Sequence, residues 1–163
     1  MSIRQKRVAL PVMADLLGVP QTVTDGSCAT TRSRPGVLEI DLQVTAAAVS
    51  PVREIVVGHL RFWGLASCEW QVGLAVSELL TNAYKHARRA HEPSVQARLV
   101  LSRIPGGLFL CVSDPEKRHP NFVSAGQDDE GGRGVALLRS IGGGFGCSTT
   151  SRGKDVWVTF PTP

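Results

Sequence analysis

The stretch SELLTNAYKHA, residues 77–87, decides how this chain is read. Its periodicity is helical, and it continues a run that begins near Glu69. Measured from Val72 at about 100° per residue, Val72, Ala75, Val76, Leu79, Leu80, Ala83 and Ala87 share an arc from about −60° to 80°. On the same count Glu78, Asn82, Lys85 and His86 fall between about 220° and 320°, immediately beside it. The polar groups therefore form one stripe along the edge of a buried face, where side chains can line a cleft. A solvated flank with an i,i+4 pair is the plainer reading of such a stripe. An acid, an amide and an amine together also have a chemical use. Asn gives a neutral oxygen to Mg²⁺, Lys a point charge to phosphate, and Glu a base for a hydroxyl or water.

Working outward from this helix, VLEIDLQV (37–44) alternates with Leu38, Ile40, Leu42 and Val44 on one face, the pattern of a half-buried strand. Ser50-Pro51 reads as a cap and first turn of a helix that Gly64 ends. On the other side, SVQARLVLSR (94–103) and GLFLCVSD (107–114) are predicted strands joined by a hairpin turn at IPGG. A polar loop is predicted from Pro115 to about Glu130, then a glycine-rich loop opening into a short helix, GGRGVALLRSIGG. FGCSTTS, the turn RGKD and VWVTF read as a last hairpin. The order β-α-α-β-β-loop-α-β-β predicts an α+β (α/β) two-layer sandwich, with helices on one face of a mixed, largely antiparallel sheet.

The first 36 residues lack sustained periodicity, and TVTDGSCATTRSRPG has the composition of a loop. The expected division is a flexible basic extension over 1–36 and the folded domain over 37–163. Residues 1–34 hold five Lys/Arg against two acids, three of the four net positive charges of the chain. A near-neutral body with a basic arm is weak ground for nucleic-acid binding, and no direct nucleic-acid partner is expected. No apolar run approaches a membrane span, and Pro11 and Asp15 interrupt what a secretory leader would need. Cys28, Cys68, Cys111 and Cys147 have no metal-ligand spacing and read as reduced thiols in a cytoplasmic protein.

Two further groups complete the candidate site. In EGGRGVALL, Gly131, Gly132 and Gly134 precede the helical pattern, so backbone N–H groups and a helix N-terminus could cradle an anion, with Arg133 beside them. Asp114 stands where GLFLCVSD leaves the sheet and could accept from an exocyclic amine; a turn-initiating Asp before Pro115 is the plainer alternative. There is no GxxxxGK[ST] motif, and no βαβ unit carries the glycines.

Taken in order, SELLTNAYKHA, VSD and GGRGVALL resemble the asparagine, aspartate and glycine boxes of the GHKL ATP-binding superfamily, whose fold is the Bergerat fold. LAVSELLTNAYKHA, GGRGVALL and the late GKDVW resemble its small stand-alone anti-sigma-factor serine kinases of the actinobacterial type. The likeness spans roughly Val37 to Phe160. It implies ATP and Mg²⁺ as cofactors, with Glu78 as the base acting on a partner's serine or threonine hydroxyl and Asn82 holding the metal. Lys85 and His86 would face the phosphates, and Asp114 would bind the adenine amine. Gly132 and Gly134, with Arg133, would lie against the phosphates beneath a lid formed by residues 115–130. The implied partners are an anti-sigma-factor antagonist of the STAS type, a sigma factor, or a second copy in a homodimer. Asp114-Pro115-Glu116 departs from the usual Asp-x-Gly, which keeps a non-catalytic binding module as the alternative.

Overall fold

The computed structural model describes residues 21–22, 29–118 and 130–163. Along the chain these form β1 (Gln21–Thr22), β2 (Ala29–Arg34), β3 (Val37–Val44), α1 (Val49–Phe62), α2 (Glu69–Ala87), β4 (Val95–Ile104), β5 (Gly107–Asp114), α3 (Glu130–Ile141), β6 (Gly144–Thr149) and β7 (Lys154–Pro161). Short 3-10 turns at Ala46–Ala48 and Ala66–Cys68 lead into α1 and α2. The strands make one open sheet in the order β1-β2-β3-β4-β5-β7-β6. Every pairing is antiparallel, so the expected mixed sheet is corrected to a uniform one. The reason lies in the connections. Hairpins join β2 to β3, β4 to β5 and β6 to β7. Two helices rather than one carry the chain from β3 to β4, so it re-enters the sheet from the end it left.

All three helices pack on the same side. α1 lies over β3, α2 crosses β3, β4, β5 and β7, and α3 rests on β6 and β7 against the flank of α2. The alternation of β3 turns Leu38, Ile40, Leu42 and Val44 inward, all buried. From α2 the six residues Val72, Ala75, Val76, Leu79, Leu80 and Ala83 are buried against them, the face the 3.6-residue period selects. Among the described residues no helix is long and apolar enough to cross a membrane.

The sheet begins earlier than Val37. ATTRSR (29–34) pairs residue for residue with β3, from Ala29 opposite Leu42 to Arg34 opposite Val37. Its Thr and Ser content reads as loop, yet threonine is β-branched and favours a pleated surface. Pro35 and Gly36, with Gly36 at φ 71°, supply the tight turn that folds β2 back on β3. Two charges of the basic arm thereby become sheet ion pairs: Arg32 with Asp41 at 2.7 Å and Arg34 with Glu39 at 2.8 Å. Residues 1–20 and 23–28 of the expected extension lie outside the described residues, as does the greater part of the expected lid.

The helix starts also differ in detail. Thr45, not Ser50, supplies the cap before α1: its Oγ1 accepts from the Ala48 N–H at 3.1 Å. Ser50 lies inside the first turn of α1, where it accepts from Arg53 at 3.3 Å.

Candidate functional site

The topology collects the candidate residues at one end of the sheet. α2 ends at Ala87 and β4 begins at Val95, so the C-terminal half of α2 lies over the end where β4 starts. β5 runs antiparallel to β4 and places Asp114 at that same end, one residue beyond the Ser113–Arg98 pair. Lys154 begins β7 directly opposite Asp114. α3 starts at this end too, having followed β5.

The decisive contact joins α2 to α3. A Cβ built on Gly134 would stand 2.6 Å from Glu78 Oε2 and 3.7 Å from Asn82 Nδ2. Glu78 and Asn82, one helical turn apart, therefore both abut the second turn of α3 across more than 50 intervening residues. A side chain at 134 would push the Glu78 carboxylate aside. The expected glycine loop is corrected here: Gly131, Gly132 and Gly134 lie within α3, which begins at Glu130, rather than in a loop before it. Tertiary packing on α2 outweighs the poor helix propensity of three glycines. Gly134, buried, serves close helix approach. The first-turn N–H groups of α3 are donors of the kind that an anion at a helix N-terminus uses.

Beneath the helices the β5–β7 ladder makes an apolar floor with a charged end. Its inward rungs are Leu108–Phe160, Leu110–Val158 and Val112–Val156, all buried, and then Asp114–Lys154. The Lys154 ammonium donates to Asp114 Oδ1 at 3.1 Å, with both side chains at 5% exposure or less. The same oxygen accepts from the Glu116 N–H at 2.9 Å, and Lys154 also reaches the Glu116 carbonyl at 3.4 Å. Burial pushes the Asp114 carboxyl above the usual carboxylate range, while Lys154 and the Glu116 N–H pull it back. Glu116 itself is held down to about 2, chiefly by its bond with Arg118. Pro115-Glu116 thus forms an ordered turn clasped to Asp114.

The other expected residues are less drawn in. Lys85 and His86 sit exposed in the last turn of α2, where positive charge suits the helix dipole. Arg133 is exposed on α3. Among the described residues no three His, Cys, Asp or Glu side chains gather as a metal cluster. A Mg²⁺ ion takes one or two protein oxygens and completes its shell with water and substrate phosphates. The Asn82 amide, which lies near Gly134 beside the Glu78 carboxylate, offers one such oxygen.

Sequence reasoning missed Lys154. The signal was present: in KDVWVTF a lysine takes the inward register shared with Val156, Val158 and Phe160. It also missed Gly153, where a Cβ would collide with the Asp114 carbonyl oxygen and stand 2.7 Å from Pro115 Cα.

The model of the histidine kinase-like ATPase domain family matches residues 42–160, covering α2, Asp114, α3 and Lys154. The chain belongs to this family. Its open antiparallel sheet with helices on one side is accordingly that of a GHKL-type, histidine kinase-like ATPase. No curated protein matches the chain. Among solved structures, the histidine kinase domain of a blue-light activated histidine kinase from Erythrobacter litoralis is 28% identical. That match has a TM-score of 0.46 and covers 59% of this chain and 45% of that one, so this histidine kinase-like ATPase chain spans less than half of that relative.

Proposed function

We propose that this chain is an ATP-dependent protein serine/threonine kinase that acts on an anti-sigma-factor antagonist and/or sequesters a sigma factor, in a partner-switching circuit. The observation that carries the proposal is the meeting of Glu78 and Asn82 with Gly134. It sets a carboxylate and an amide beside the N-terminal turn of α3, the part of the fold that presents unpaired N–H donors to phosphate. The sequence resemblance to stand-alone anti-sigma-factor kinases supplies the partner class.

In this reading Asn82 would hold the Mg²⁺ side of the nucleotide, and the N–H groups at the start of α3 would orient the phosphates. The metal supplies charge neutralisation on the transferring phosphoryl group. Glu78 accepts the proton of the partner's hydroxyl, for which its partial exposure on the flank of α2 gives access. Lys85 and Arg133, exposed around that end, add positive charge toward phosphate or toward an acidic partner surface, and His86 lies beside them. Asp114 faces the base.

The test is transfer of labelled γ-phosphate from ATP to a co-purified STAS-type protein, with and without Mg²⁺. The proposal expects transfer by the unaltered chain and none by Glu78→Ala, with ATP binding retained in the variant. A chain that binds ATP but labels no such partner would overturn the kinase assignment.

One observation favours a second reading, a binding module without transfer. The base-facing Asp114 is already engaged by Lys154. Under that reading Glu78→Ala leaves regulation in the cell unchanged, whereas the kinase reading requires it to fail.

A further inference from the structure

The Asp114–Lys154 pair is costly and calls for a use. Replacing a buried ion pair with apolar residues is often neutral or stabilising, so such a pair is poor evidence for a purely structural role. The three rungs that precede it on the same face are all apolar, and a fourth would continue the core. Here the register ends instead on a carboxylate and an ammonium, both buried, at the end of the sheet below Glu78 and Asn82.

We propose that Lys154 is a base-reading residue, and that it and Asp114 together recognise the donor-next-to-acceptor edge of adenine. Both hydrogen bonds to Asp114 go to Oδ1, from Lys154 and from the Glu116 N–H. Among the described residues Oδ2 accepts none, and it is the atom left for the exocyclic amine. An ammonium carries three N–H donors. Within the described residues two of them are directed at Asp114 Oδ1 and the Glu116 carbonyl, which leaves one for a ring acceptor. A carboxylate oxygen and an ammonium proton thus stand next to each other where the buried apolar rungs of β5 and β7 end. Adenine offers the complementary pair, the N6 amine and the N1 acceptor. Gly153 permits the arrangement: any side chain there would meet the Asp114 carbonyl and separate the two strands. The ordered turn at Pro115-Glu116, by fixing Oδ1, points the carboxylate without the glycine usual after such an aspartate.

This inference rests on the ATP-binding reading above, and its experiment separates the two. Calorimetry compares ATP with 1-deaza-ATP, which lacks the N1 acceptor, on the unaltered chain and on Lys154→Met. A hydrogen bond from a charged donor corresponds to roughly 10–100-fold in affinity. The unaltered chain is expected to prefer ATP by that factor. Lys154→Met is expected to lose the same factor for ATP and to bind both nucleotides equally. Equal binding of the two by the unaltered chain would overturn the assignment while leaving the ATP site intact, and this arm stands even where the variant fails to fold. Tighter ATP binding by Lys154→Met would also overturn it, making Lys154 a plug. Binding of neither nucleotide by the unaltered chain would remove both readings.

Discussion

Replacing Gly134 with alanine should separate stability from chemistry. Gly134 lies inside α3, and alanine in a helix interior is favoured over glycine by about 0.5–1 kcal/mol. Against this, the new Cβ would stand 2.6 Å from Glu78 Oε2, where ordinary contact begins at 3.4 Å. The obstructing atom is the far end of a flexible side chain, so Glu78 can swing to another staggered rotamer at a cost of about 1 kcal/mol or less. The net change in stability is therefore within about 1 kcal/mol of zero, a shift of no more than ~4 °C in Tm. The carboxylate, however, must retreat by about 0.8 Å, and displacement on that scale costs on the order of 10²-fold in a positioned reaction. Thermal unfolding and single-turnover transfer of the γ-phosphoryl group from bound ATP to the STAS-type partner's hydroxyl, which leaves ADP, measure the two effects on one preparation. The expected result is an unchanged or slightly raised Tm with turnover reduced roughly 10–100-fold. A variant with full turnover would refute the placement of Glu78 at the reacting end. A loss of more than about 2 kcal/mol would refute the claim that only a mobile carboxylate fills that space.

Gly153→Ala should behave in the opposite way, because its Cβ meets the Asp114 backbone and not a side-chain tip; urea unfolding should show a loss of roughly 1–3 kcal/mol. Cys111 gives a pH test. Burial pushes its thiol up to about 12, from about 8.5 when unfolded, so the folded state holds the proton that the unfolded state releases. Its stabilising contribution is whole below about pH 8.5 and is lost as the pH rises toward 12, at up to ~1.4 kcal/mol per pH unit. Stability measured from pH 8 upward should fall accordingly, and iodoacetamide at pH 8 should label Cys111 only after unfolding, as read by mass spectrometry.

Much of the fold was legible because its elements carry strong periods. β3 begins and ends where its alternation does, β5 covers the apolar run GLFLCVSD, and six of the seven residues on the apolar arc of α2 are buried, Ala87 being the exception. β2 was hidden by composition, since ATTRSR offers threonine where a strand reader looks for valine, and only its pairing with β3 makes it a strand. The site was half legible. The flank of Glu78 and Asn82 follows from helical spacing alone. That Gly134 closes on it does not, since a glycine run reads as loop until another helix packs on it. Lys154 went unread because lysine is assumed to face solvent, although the strand register put it inward.

The central claim is that one Mg²⁺-bound adenine nucleotide occupies the end of the sheet between α2 and α3. Calorimetric titration of ATP into the unaltered chain and into Asn82→Ala, each with Mg²⁺ and with a chelator, tests it most directly. The account predicts saturable binding that weakens at least tenfold when either Mg²⁺ or the Asn82 amide is removed, with no additional loss when both are. Binding that is indifferent to Asn82 and to Mg²⁺, or no heat at millimolar ATP, would contradict it.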